Sequence, residues 1–209
     1  YVKKTIKLSG ILSKPLYSVL SSSLDIYIPN ITGSDERAIE FLKKIFPDKE
    51  IEKLYFSDLK PEEEKKLINE IIKIRVLNNI MQNEKIIGDV YLIKGDYPFK
   101  DLKELSFIVS SAVYLDKYRV LVKYFIKNID EGIRDLETYF RGKLSSMISD
   151  IIKNKVDIKE KDGIVFIKVQ GKENERYNVY LADILSFNDI LDKKYYIVYS
   201  EYKDYYEIS

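Results

Sequence analysis

Tyrosine is the aromatic side chain this sequence offers most freely for chemistry, with 18 among 209 residues. Tyr195, Tyr196, Tyr199, Tyr202, Tyr205 and Tyr206 crowd its C-terminal end, interleaved with Lys193, Lys194 and Lys203. An aromatic ring on a strand can stack a nucleobase, worth about 1 to 3 kcal/mol per base, where cations beside it hold the phosphates. Lys193, Lys194, Tyr195, Tyr199 and Lys203 are therefore the candidate contacts for single-stranded DNA, or for a protein partner that joins an exposed strand edge. The plainer alternative is that tyrosine serves here through β-propensity and packing on a half-buried sheet.

Catalysis finds less material. With no His and no Cys, Ser/His/Asp and Cys/His nucleophile systems are excluded, and so are disulfides and thiolate metal sites. No D-x-D pair seeds a two-metal carboxylate site, and the eight Gly are scattered rather than spaced to cradle a phosphate. The expectation is a chain without catalytic, cofactor-binding or metal-ligating residues. The acidic run Glu62 to Glu64 follows Pro61, a favoured first helical residue, so it reads as charge placed at the positive end of a helix dipole.

Lys and Arg number 35 against 34 Asp and Glu, a net charge of +1. A general electrostatic grip on nucleic acid shows as a basic excess, so only a local patch is open to this chain. No apolar run approaches the roughly 18 residues of a membrane span, so the expectation is a soluble, cytoplasmic protein. The length suits one or two domains.

The elements that must position these residues follow from periodicity. Tyr1 to Leu8 alternates weakly and suits an edge strand. Pro15 opens a short amphipathic helix through Leu16, Val19, Leu20 and Leu24. Ser34 caps a second helix, whose Ala38, Ile39, Leu42, Ile45 and Phe46 share one face before Pro47. From Pro61 a third carries Leu67, Ile68, Ile71, Ile72, Leu77, Ile80 and Met81, ending near Asn83. Asp89 to Lys94 reads as a strand closed by Gly95, Asp96 and Pro98, then Asp101 to Leu115 and about Lys117 to Lys127 as helices. After a break at Asn128, a stripe from Ile133 to Ile152 marks a helix from about Asp130 to Lys153, roughly 35 Å long. Arg134, Arg141 and Lys143 fall off that stripe, on an expected solvated face. Beyond Asn154 the period becomes two: a hairpin turning at Asp162-Gly163, a helix at Tyr177 to Phe187, and strands at Tyr195 to Tyr199 and Tyr205 to Ile208.

Leu8-Ser9-Gly10, Lys14-Pro15-Leu16-Tyr17-Ser18-Val19-Leu20 and Tyr27-Ile28-Pro29-Asn30-Ile31-Thr32-Gly33 together resemble the segment that follows the metal-binding motifs in archaeal RecJ-like proteins of the DHH phosphoesterase superfamily. Ala38 and Phe41-Leu42 fall where those proteins read A-x-x-F-L. Asp101 to Ala112 resembles their D-A-x-E-F-A-T-L-L-N-A helix, with Ser110-Ser111 in place of the L-N step. Tyr17 stands where the family has His, and Asn30 where it has Gly. The resemblance implies an α/β (α+β) fold: residues 1–130 as the remnant of a DHH-type α/β domain with a helical region and one strand, 131–153 as a connecting helix, and 154–209 as a small truncated DHH-associated α/β domain. Family members hold metals through Asp and His, so a member without His is implied to be catalytically degenerate. It is also implied to lack the family's catalytic first part and the His-containing Gly-rich turn of its last. Such a chain is implied to be a DNA replication factor bound to the GINS complex and the MCM helicase, a counterpart of the C subunit of the eukaryotic CMG helicase. The alternative is a stand-alone single-stranded nucleic-acid-binding module derived from RecJ.

Overall fold

The computed structural model describes residues 2–81, 83–84, 86–95, 97, 99–127, 132–191, 195–201 and 206–208. Tyr1, Asp96, Pro98, Asn128, Asp130, Lys193, Lys194, Tyr202, Lys203 and Tyr205, on which expectations fell, lie outside them. The chain is mixed α/β and forms two compact units, 1–108 and 109–209.

In the first unit, strand β1 (Val2–Ile6) pairs antiparallel with β2 (Ile87–Tyr91). Between them lie helices α1 (Leu16–Ser21), α2 (Asp35–Ile45) and α3 (Pro61–Leu77). The Ser34 hydroxyl accepts the Arg37 N–H at the start of α2, and Ala38, Leu42 and Ile45 are buried, as the cap and spacing require. Ile6, Leu8, Leu16, Leu20, Ile26, Ile28, Phe56 and Ile71 share the same core. The Tyr27 to Gly33 loop folds on itself: the Thr32 hydroxyl accepts the Ile28 N–H at 2.9 Å and donates to the Ser23 carbonyl at 3.0 Å. Asn30 sits at φ 64°, a left-handed conformation that suits Asn and Gly best, so the residue at this position fits the turn.

Helix α3 ends earlier than its apolar pattern suggests. Asn79 turns left-handed at φ 62°, and the N–H groups of Asn79 and Ile80 return to the carbonyls of Val76 and Arg75. This closes the helix at Leu77 and leaves Leu77 and Met81 exposed instead of on the core face. Arg75 is fully buried there, donating to the Tyr27 carbonyl at 2.6 Å and the Asn83 side chain at 3.0 Å.

Helix α4 (Leu102–Tyr114) supplies its second half to the second unit, followed by α5 (Tyr118–Lys127) and α6 (Ile133–Ile152). The expected stripe of α6, from Ile133 through Phe140 to Ile151, is buried. Arg141 is a correction: it is buried, pairing at 2.9 Å with Glu137 one turn earlier, because that partner neutralises its charge on the inner side of the helix. A four-stranded sheet follows in the order β3 (Asp157–Lys161), β4 (Ile164–Val169), β5 (Tyr195–Glu201), β6 (Tyr206–Ile208). Asp162 and Gly163, both at positive φ, make the two-residue turn between β3 and β4. β4 and β5 run parallel, and helix α7 (Asn178–Asn188) lies in the crossover between them. Val165, Ile167, Val169 and Val198 are buried on one face of the sheet. On that face the Asn178 amide of α7 donates to the Ser200 hydroxyl. Phe140 stacks on Tyr177 with ring centroids 4.9 Å apart, and Tyr180 meets Phe140 and Tyr114 edge to face.

Candidate functional site

Two segments far apart in sequence meet in the first unit. Asp101 caps α4 by accepting the Glu104 N–H at 2.8 Å, while its other oxygen accepts the Gly10 N–H at 3.0 Å. Glu104 engages the same turn: it accepts the Ser13 hydroxyl at 2.6 Å and faces the Lys14 ammonium at 3.4 Å. Both carboxylates are almost completely buried. Burial pushes the Asp101 carboxyl above its ordinary 3.8, against the N–H groups of Glu104 and Gly10 that draw it down. These acids are committed to protein donors. They clamp the Gly10 to Lys14 turn onto α4, and among the described residues no group of three or more Asp and Glu could hold a metal ion. The acidic run at the start of α3 is likewise engaged in structure. Glu63 accepts the Lys60 N–H at 2.8 Å, which holds its carboxyl below the usual carboxylate range, and Glu64 pairs with Lys3.

The expected aromatic contacts lie in the second unit. Tyr195 and Tyr199, four residues apart on β5, share the face turned away from α7, about 13 Å apart along the strand. Tyr195 is 67% exposed and Tyr199 half-buried. Lys193, Lys194 and Lys203 lie outside the described residues. The register adds side chains that no single strand announces. One row across the sheet reads Lys161, Ile164, Tyr195; the next Lys159, Phe166, Ile197; the third Asp157, Lys168, Tyr199. Three lysines against one aspartate therefore border an aromatic and aliphatic surface, with Lys159 3.5 Å from Asp157. Phe166 and Lys168 were readable as in phase within the alternating strand Ile164 to Val169. Which phase faces outward is set by where α7 packs.

Comparison with known proteins adds two findings. Residues 8–88 match the DHH-CID domain family. The resemblance carried by Leu8 to Leu42 falls inside that match. No curated protein matches the chain. The fold is similar to that in the crystal structure of CDC45 from Entamoeba histolytica, with a TM-score of 0.53 and 13% identity. That match covers 97% of this chain and 45% of the CDC45 chain, so this sequence spans less than half the length of the protein it resembles in fold. Asp101 and Glu104 lie beyond the C-terminal end of the DHH-CID match, yet their bonds to Gly10, Ser13 and Lys14 fasten its first turn. Lys103, next to them, pairs with Asp25 and donates to the Lys7 carbonyl. The segment following the matched residues thus fastens the loops at their start.

Proposed function

We propose that this chain is a non-catalytic DNA replication factor that binds the GINS complex and supports the MCM helicase. The observation that carries the reading is the CDC45-like fold over almost the whole chain together with the DHH-CID match. The absence of His agrees with a role exercised through binding, since the superfamily's metal chemistry draws on that side chain. On this reading residues 1–130 and 154–209 present separate binding surfaces joined by the helix at 131–153, and the protein works in the cytoplasm at the nucleoid. Affinity capture of the tagged chain from native extract, followed by mass spectrometry, tests it. GINS and MCM subunits in the eluate at moderate salt are the expected result; an eluate without either would refute it.

The rows of Tyr195, Tyr199, Phe166, Lys159, Lys161 and Lys168 support a second reading, a single-stranded nucleic-acid-binding module that acts without GINS. Base stacking is tolerant of sequence, and three lysines could hold only a few phosphates. This reading expects weak, salt-sensitive affinity for oligonucleotides, falling roughly ten-fold in Tyr199→Ala. Flat fluorescence-anisotropy titrations at low salt would remove it.

A further inference from the structure

Helix α5 turns a second apolar face outward. Tyr124 buries the inner side of the helix, and α6 packs beside it. Tyr118, Val122, Phe125 and Ile126 recur at four, seven and eight residues, which places them on one arc opposite Tyr124, and they are 51% to 76% exposed. Apolar residues scattered singly over a surface need no explanation, but four large ones contiguous over two turns mark a contact surface.

The charge that α5 itself carries has one sign. Lys117, Arg119 and Lys123 are exposed, and no Asp or Glu occurs between Lys117 and Lys127. The nearest acid, Asp116, pairs with Arg176, which also donates to the Tyr114 carbonyl at 3.2 Å. Asp116 is left-handed at φ 55°, and the N–H groups of Asp116 and Lys117 return to Val113 and Ala112. The start of α5 is therefore fixed on the end of α4.

We propose that this face of α5 is a docking site for an acidic amphipathic helix of a partner protein. Its anchors fit a partner helix that presents apolar residues at three and four spacing, and its basic edge fits carboxylates flanking them. Tyr, Phe and Arg are also the residues enriched at the centres of protein interfaces. A second copy of the chain would bring basic edge against basic edge. A lipid surface would be served by one helix of ten residues whose other side is already packed. The inference goes beyond the GINS and MCM reading, because it assigns a surface and a chemistry whichever protein supplies the helix.

The chain contains no Trp, so Tyr118→Trp places a single fluorescent reporter at one end of the stripe. The probe is a synthetic helix of about 18 residues built from Glu, Ala and Leu with the leucines on one face. Saturable binding with a blue shift is expected, weakened roughly ten-fold by Phe125→Ser or Ile126→Ser and reduced by salt. Circular dichroism melts of these exposed-site variants should match the parent. Arg119→Glu combined with Lys123→Glu should transfer the preference to a peptide with Lys in place of Glu. The proposal is overturned if a scrambled peptide of the same composition binds equally. It is also overturned if Phe125→Ser binds unchanged, if only phosphatidylglycerol vesicles shift the fluorescence, or if light scattering shows that the stripe is covered by self-association.

Discussion

Asp101 joins two distant parts of the chain through its two oxygens, and its burial makes that arrangement sensitive to pH. The folded carboxyl has its pKa raised above 3.8, so the stability it contributes is fully present below that value and is lost as pH rises through the raised one. Stability in urea should fall over that acidic window in the parent and lose this component in Asp101→Asn. At neutral pH the same substitution leaves one of two buried N–H groups without its acceptor and should cost roughly 1 to 3 kcal/mol. An unchanged urea midpoint would show that the clamp does nothing. Tyr177 behaves alike at the other end of the scale. Burial first, and the neighbouring Tyr139 phenol second, push its hydroxyl up to about 12 from 10.0. Its contribution is intact below pH 10 and is lost as pH climbs through 12, so Tyr177→Phe should weaken the alkaline unfolding transition. The same transition in both proteins would contradict this. Neither role was legible in the sequence, since burial of a lone Asp or Tyr depends on what packs over it. Arg141 was nearer to being readable: Glu137 stands one turn before it, and that spacing signals a pair even on an inward face.

Elements whose ends carry their own chemistry were legible. Ser34 before α2, Pro61 at the first position of α3 and Asp162-Gly163 between β3 and β4 each mark a boundary that the structure keeps. The end of α3 was hidden because apolar residues continue in phase past Leu77, while the chain has already turned at Asn79. That turn requires positive φ, so Asn79→Val should cost about 1 to 2 kcal/mol, read from thermal melts, whereas Asn79→Gly should be neutral or stabilising. Equal melting of the valine variant and the parent would deny the turn its role. The sheet face was half legible. Alternation put Tyr195 and Tyr199 on one side, but Lys159, Lys161, Phe166 and Lys168 joined them only through pairing of β3 with β4 and of β4 with β5. The exposed arc of α5 was not singled out, because an apolar stripe on a helix reads as core until neither side of it is left to bury.

For the whole molecule, a CDC45-like fold, with residues 8–88 matching the DHH-CID family, is set on a chain without His. The resemblance in sequence rested on short segments in the right order, and the clamp between Gly10 and Asp101 shows why two of them belong together: each holds the other in place. A fold at 13% identity carries its packing much further than its surface, and partners are chosen by surface. The central claim is therefore best met by direct binding. Purified chain and purified GINS from the same organism, mixed at micromolar concentration and moderate salt, should migrate as one complex in size-exclusion chromatography with light scattering. Two independent peaks at every concentration, with both proteins folded by circular dichroism, would contradict the account.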